Sequence, residues 1–107
     1  MDFAFYRNFI TVAETGNLSA AAKRLGIVQP ALSAQMKAIE RNYGVQLFKM
    51  QRGKRHIELT EAGETFLQQA RQLCNTEDDI SLRMQAFGRR AAGTLRFSVS
   101  HVRTDYF

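Results

Sequence analysis

The chain is 107 residues long, 45% hydrophobic, with one proline and one cysteine and a formal net charge of +5. These values exclude a disordered chain and describe one compact, helix-rich domain with room for a long appendage. The positive balance favours a polyanionic partner, and the lone Cys74 leaves no intramolecular disulfide, so a reducing cytosol is the simplest compartment. No run approaches the ~18 apolar residues of a membrane span. Met1-Asp2 opens on an acid rather than the basic start of a secretory signal, so neither a membrane partner nor export is expected.

The charge is unevenly placed. Residues 1–60 carry Arg7, Lys23, Arg24, Lys37, Arg41, Lys49, Arg52, Lys54 and Arg55 against only Asp2, Glu14, Glu40 and Glu58, which accounts for the whole net charge. Whatever attracts an anion lies in that part.

Residues 2–15 predict a first helix, with Phe5, Phe9, Val12 and Ala13 on one face, Tyr6 and Ile10 beside it, and Gly16 as its end. Those aromatics read as core. Either Asn17 or Ser19 supplies the cap of the next helix, since both side chains can accept from an orphan N–H. In that helix Leu18, Ala21, Ala22 and Leu25 recur with the 3.6-residue period. Gly26 follows, Ile27 dips back to the core, and Pro30 sits where a third helix can start without losing a hydrogen bond. Leu32, Met36, Ile39 and Tyr43 then form a second buried stripe, and Gly44 closes the helix. The opposite face shows Ser33, Ala34, Lys37 and Arg41, small or cationic side chains that fit a groove lined with acceptors and phosphates. Two helices about a glycine turn are the helix-turn-helix pattern.

Val45, Leu47 and Phe48 lead into KMQRGKR, and His56 to Leu59 alternate polar and apolar, so a β-hairpin wing is expected. Its cations, Lys49, Arg52, Lys54 and Arg55, suit phosphate or minor-groove contact, although a basic turn can equally be a solvated surface. Thr60-Glu61 opens a long helix over residues 61–87, roughly 40 Å if fully helical. Within it Phe66, Ala70, Leu73, Glu77, Ile80, Met84 and Phe87 alternate steps of four and three, an a/d seam with Glu77 as its polar position. The alternative is a helix packed inside its own chain, but 107 residues offer little else to cover it, so a partner helix and a homodimer are expected. Residues 88–93 read as a linker. Leu95, Phe97 and Val99 then mark a strand over 94–100 that has no pairing partner, as though a further domain starts there.

The stretches FITVAETGNLSAAAKRLGIVQPALSAQMKAIERNYGVQLF and LTEAG at Leu59–Gly63, in this order and spacing, resemble the N-terminal DNA-binding part of LysR-type transcriptional regulators. The resemblance runs from Met1 to about Gly93 and into the first strand of the following domain. It implies a mainly α fold: a winged helix-turn-helix over residues 1–60 and a linker helix for dimerisation over 61–88. Residues 89–107 would then be the hinge and first strand of an effector-binding domain. It further implies that Gln29, Pro30 and Ser33 make base contacts in double-stranded DNA bearing an interrupted palindrome. The expected backbone or wing contacts are Lys23, Lys37, Arg41, Lys49, Arg52, Lys54 and Arg55. Phe66, Ala70, Leu73, Ile80, Met84 and Phe87 would form the dimer seam, and two dimers can join as a tetramer in the full-length form. A small-molecule effector would act only through the effector domain, and the location would be the bacterial cytosol, at the nucleoid. The chain departs from the family at Val28, where a small hydroxyl residue is usual, and at Ala34 and Met50, where arginine is common. The wing is also slightly longer than the commonest form.

Catalysis is not expected. Cys74 has no neighbouring base in sequence, His56 and His101 read as ordinary surface or packed residues, and there is no metal-ligand spacing, phosphate-binding glycine loop or serine elbow, so neither catalytic residues, metal nor cofactor is assigned. The rival reading is a helical dimeric protein-interaction module whose basic surface binds acidic partners.

Overall fold

The computed structural model describes residues 1–49 and 56–90. Its elements, in order, are α1 (Ala4–Thr15), α2 (Leu18–Leu25), α3 (Gln29–Tyr43), β1 (Phe48–Lys49), β2 (Glu58–Leu59) and α4 (Glu61–Arg90). The chain divides into two units, Met1–Arg71 and Gln72–Phe107.

In the first unit, α1, α2 and α3 enclose a core of Phe9, Val12, Ala21, Ala22, Leu32, Met36, Ile39 and Leu47. Apart from Leu47, which follows α3, these lie on the stripes that the period of 3.6 predicts, with Phe5, Ala13, Leu18 and Leu25 half-buried at their edges, and Phe9, Leu32 and Ile39 are fully buried. Burial of each such side chain contributes on the order of 1.5–3 kcal/mol. Helix α1 starts at Ala4, two residues later than the apolar pattern suggests, where Asp2 Oδ1 accepts the Ala4 N–H at 3.3 Å. Asn17 caps α2: its Oδ1 accepts the Ala20 N–H at 2.9 Å. Gly26 ends α2 at φ 71°, a left-handed conformation that costs a β-carbon-bearing residue energy, and its N–H returns to the Ala22 and Lys23 carbonyls.

Tyr43 is not part of the buried stripe. It is 47% exposed, because its ring lies at the edge of the core and its hydroxyl meets that of Tyr6 at 2.5 Å. Both rings approach Phe66, with centroids 5.7 Å (Tyr6) and 5.6 Å (Tyr43) away, and Phe9 meets Phe66 edge-on at 4.7 Å. The edge-on Phe9 contact places a positive ring edge near a negative face, while Tyr6 stacks on Phe66 with its ring nearly parallel. The start of α4 is thereby built into the core of the first unit.

The wing is shorter as a sheet than the alternation of residues 56–59 suggests. Its antiparallel ladder pairs Phe48 with Leu59 and Lys49 with Glu58. The remaining backbone donors at its root are satisfied elsewhere. Glu40 Oε2 accepts the Leu47 N–H at 2.8 Å and the Phe48 N–H at 3.3 Å. Ile57 N–H donates to the Gly16 carbonyl at 2.7 Å, and Thr60 N–H to the Leu47 carbonyl at 3.0 Å. Thr60 also caps α4, its Oγ1 accepting from Gly63 N–H at 3.0 Å while donating to the Gln46 carbonyl at 2.7 Å. Gly63 is buried, and a Cβ there would collide with the Leu47 carbonyl oxygen.

Helix α4 continues through Gly88, Arg89 and Arg90, where a linker was expected. A glycine costs about 1 kcal/mol inside a helix, which a long hydrogen-bonded run absorbs by cooperativity. The final arginines suit the negative end of the helix dipole, and the Arg90 guanidinium lies 5.3 Å above the Phe87 ring. The strand expected over 94–100 falls outside the described residues. Among the described residues no helix is long and apolar enough to cross a membrane.

Candidate nucleic-acid interface

Helix α3 opens on Val28, whose side chain makes no capping bond and is 69% exposed. A hydroxyl or amide there would accept an orphan N–H; valine offers none, so the first turn relies on Pro30, which has no N–H to satisfy. Gln29 and Pro30 follow as the first two helical residues, both exposed. Gln29 is not loose: its Oε1 accepts a hydrogen bond from the Ser19 hydroxyl at 2.8 Å. Ser33, one turn on, is half-buried, and Ala34 is exposed. Lys37 and Arg41 are exposed further along α3, and Lys23 is exposed near the end of α2.

Two clefts gather Ser33, Lys37, Arg41 and Lys49, whereas Gln29, Pro30 and Lys23 line neither. One, of about 230 Å³, lies between α3 and the wing root and is lined by Ser33, Met36, Lys37, Phe48, Lys49 and Ile57 among others. The other is shallower and joins Lys37 and Arg41 with Gly44, Val45 and Gln46 at the end of α3. Of the wing cations, Lys49 is described: its Nζ lies 3.8 Å from Glu58 Oε1, directly across the ladder. An exposed pair of that kind is worth at most about 1 kcal/mol and competes poorly with a stronger anion. Arg52, Lys54 and Arg55 lie outside the described residues, as does Met50.

α3 is held against its neighbours by Asn8, whose Nδ2 donates to Gln35 Oε1 at 2.6 Å. Glu14 on α1 draws in Arg24 of α2 at 3.9 Å and Arg71 of α4 at 3.4 Å.

The seam residues divide in two. Phe66 is half-buried against the first unit's core and Ala70 is buried, whereas Leu73, Ile80, Met84 and Phe87 are exposed. At the polar seam position, the Glu77 carboxylate accepts from the Ser81 hydroxyl at 3.3 Å, within the same helix. Leu82 is also exposed but falls outside the four-three spacing. Cys74 is buried, and among the described residues no group of three or more His, Cys, Asp or Glu side chains is placed to hold a metal ion.

Sequence reasoning missed Ser19 and Glu40. Ser19 carried a signal only as a possible cap, and nothing in the pattern joins it to a residue ten positions on. Glu40 reads as an ordinary solvated acid on α3, yet it receives two backbone donors.

Comparison with known proteins fits this arrangement. Residues 4–64 match the profile of the bacterial regulatory helix-turn-helix protein, lysR family. The HTH-type transcriptional regulator ClcR of Pseudomonas putida is 46% identical over 96 residues, covering 90% of this chain and 32% of that protein. TcbR of Pseudomonas sp. (strain P51), also an HTH-type transcriptional regulator, is 41% identical over 107 residues, covering 100% of this chain and 35% of its own length. The chain thus spans about a third of the length of these curated relatives. Among solved structures, the complex of the CbnR DNA-binding domain with DNA aligns with a TM-score of 0.75 at 43% identity, covering 80% of this chain and 97% of that one. The complex of the BenM DNA-binding domain with catB site 1 DNA aligns with a TM-score of 0.74 at 33% identity, covering 86% of this chain and 98% of that one. With a profile match across more than half of its residues, and four helices with a two-stranded wing arranged as in those domains, the chain belongs to the LysR family of bacterial helix-turn-helix regulatory proteins.

Proposed function

We propose that the chain is the DNA-binding part of a transcriptional regulator, one that reads double-stranded DNA in the major groove with the start of α3. The observation that carries this reading is the exposed first turn of α3, Gln29-Pro30-Ala31, on a helix whose other face is locked into the core by Leu32, Met36 and Ile39. Gln29 pairs with a base edge, Ser33 donates or accepts beside it, and Pro30 supplies apolar contact, for instance to a thymine methyl. Lys23, Lys37, Arg41, Lys49, Arg52, Lys54 and Arg55 neutralise phosphates, setting affinity and salt dependence rather than sequence. Relatives solved on DNA, at 43% and 33% identity, support the assignment.

Two copies pair through the exposed part of the α4 seam, Leu73, Ile80, Met84 and Phe87, which gives two recognition helices and an operator that is an interrupted palindrome. Phe66 packs against the chain's own core and Ala70 is buried one turn further on. The compartment is the bacterial cytosol, and no chemistry is catalysed. A small-molecule effector and tetramer formation belong to an effector-binding domain of a longer protein.

The test is equilibrium binding to random-sequence duplex DNA across a salt series, followed by sequencing of the retained fraction. An enriched interrupted palindrome and affinity falling with salt are expected, with Gln29→Ala losing about 1–3 kcal/mol of discrimination at one half-site position. Retention without sequence preference would refute base reading. Binding to acidic proteins with no affinity for DNA would favour an interaction module instead.

A further inference from the structure

Ser19 is the second residue of α2, inside the helix rather than at its cap, a place taken by Asn17 through the Ala20 N–H. The Ser19 hydroxyl is directed to Gln29 Oε1, 2.8 Å away, and so joins the starts of α2 and α3 across the turn. Both residues are exposed, so the bond is not forced by burial. An unrestrained glutamine samples many rotamers, and ordering it on binding costs entropy. Bidentate recognition of adenine needs the amide in the plane of the base, its N–H donating to N7 and its oxygen accepting from the N6 amino group.

We propose that Ser19 is the positioning residue that sets the base preference of Gln29. Its hydroxyl occupies one lone pair of Oε1 and fixes the amide plane. The second lone pair and the Nε2 donors stay open toward the base. Ser19 itself touches no base. The inference rests on the DNA-binding reading above. It adds that adenine discrimination at the Gln29 position depends on a residue of the preceding helix.

The experiment compares the 107-residue chain with Ser19→Ala, Ser19→Thr and Gln29→Ala on a pool of random-sequence duplex DNA, reading base preference position by position and the salt slope of binding to unselected duplex. Gln29→Ala should flatten one half-site position. Ser19→Ala should weaken adenine preference at that same position by about three- to tenfold, the worth of one neutral hydrogen bond. Other positions, the salt slope and the unfolding temperature should not move, and Ser19→Thr, which keeps the hydroxyl, should restore the preference. If Ser19→Ala leaves that position unchanged, or lowers affinity for all sequences alike, the inference is overturned while base reading stands. If the unsubstituted chain enriches no sequence, both fall.

Discussion

The carbonyl oxygen of Leu47 occupies the space that a β-carbon on Gly63 would need. Substituting alanine for glycine inside a helix normally stabilises by about 0.5–1 kcal/mol. Here the new methyl would meet backbone at the root of the wing, which cannot swing aside like a side-chain tip. Gly63→Ala should therefore reverse the usual sign and destabilise by about 1–3 kcal/mol in urea denaturation. A variant as stable as its parent would mean that the segment around Leu47 yields.

The cap of α2 offers a paired comparison. Asn17→Ala removes the acceptor for the Ala20 N–H and should cost about 1 kcal/mol. Ser19→Ala should stay within about 0.5 kcal/mol, as expected of an exposed position with no backbone donor to satisfy. Thermal unfolding of the two variants side by side distinguishes them. Equal losses would make Ser19 a second cap.

Tyr6 should titrate late. Its hydrogen bond to Tyr43, then burial, then charge repulsion from Tyr43, push its pKa from 10.0 up to about 12. The folded chain holds this proton more tightly than the unfolded one. The resulting stability is whole below pH 10 and is lost as the pH climbs through about 12. Tyrosinate absorbance should show a step near the upper value that Tyr6→Phe abolishes. A titration complete near pH 10 would exclude the shift.

Self-association should depend on seam position rather than on hydrophobicity as such. Ile80 and Leu82 are both exposed, at 51% and 64%, but only Ile80 keeps the four-three spacing. Lysine at a paired a/d site desolvates a charge, so Ile80→Lys should yield monomers in sedimentation equilibrium while Leu82→Lys should not. Monomeric behaviour of the parent chain at micromolar concentration would remove the seam altogether.

Much of the first unit was legible because its signals are local. The stripes through Phe9, Ala21, Leu32 and Ile39 follow from helical period, and Gly16, Gly26 and Gly44 mark helix ends by their backbone freedom. What escaped depends on contacts distant in sequence. Tyr43 fits the stripe as a ring, but its hydroxyl is drawn to the edge by Tyr6. Gly63 looks like a flaw in a helix until the Leu47 carbonyl is placed against it. The seam spacing is regular from Phe66 to Phe87 and carries no mark of where the chain's own core stops using it. At the candidate interface, the helix start at Gln29 and Pro30 was legible from the proline and the glycine turn, whereas the Ser19 hydrogen bond has no periodic signature.

The wing root is gathered from three directions: the Gly16 carbonyl at the end of α1, the Glu40 carboxylate on α3, and Thr60 ahead of α4. None of these anchors uses a residue between 50 and 55. A change of length there would leave these particular bonds in place, at a loop-closure cost of only about 0.6 kcal/mol for each doubling. If the start of α3 reads DNA as proposed, such insertions or deletions would retune the wing and leave Gln29, Pro30 and Ser33 in place.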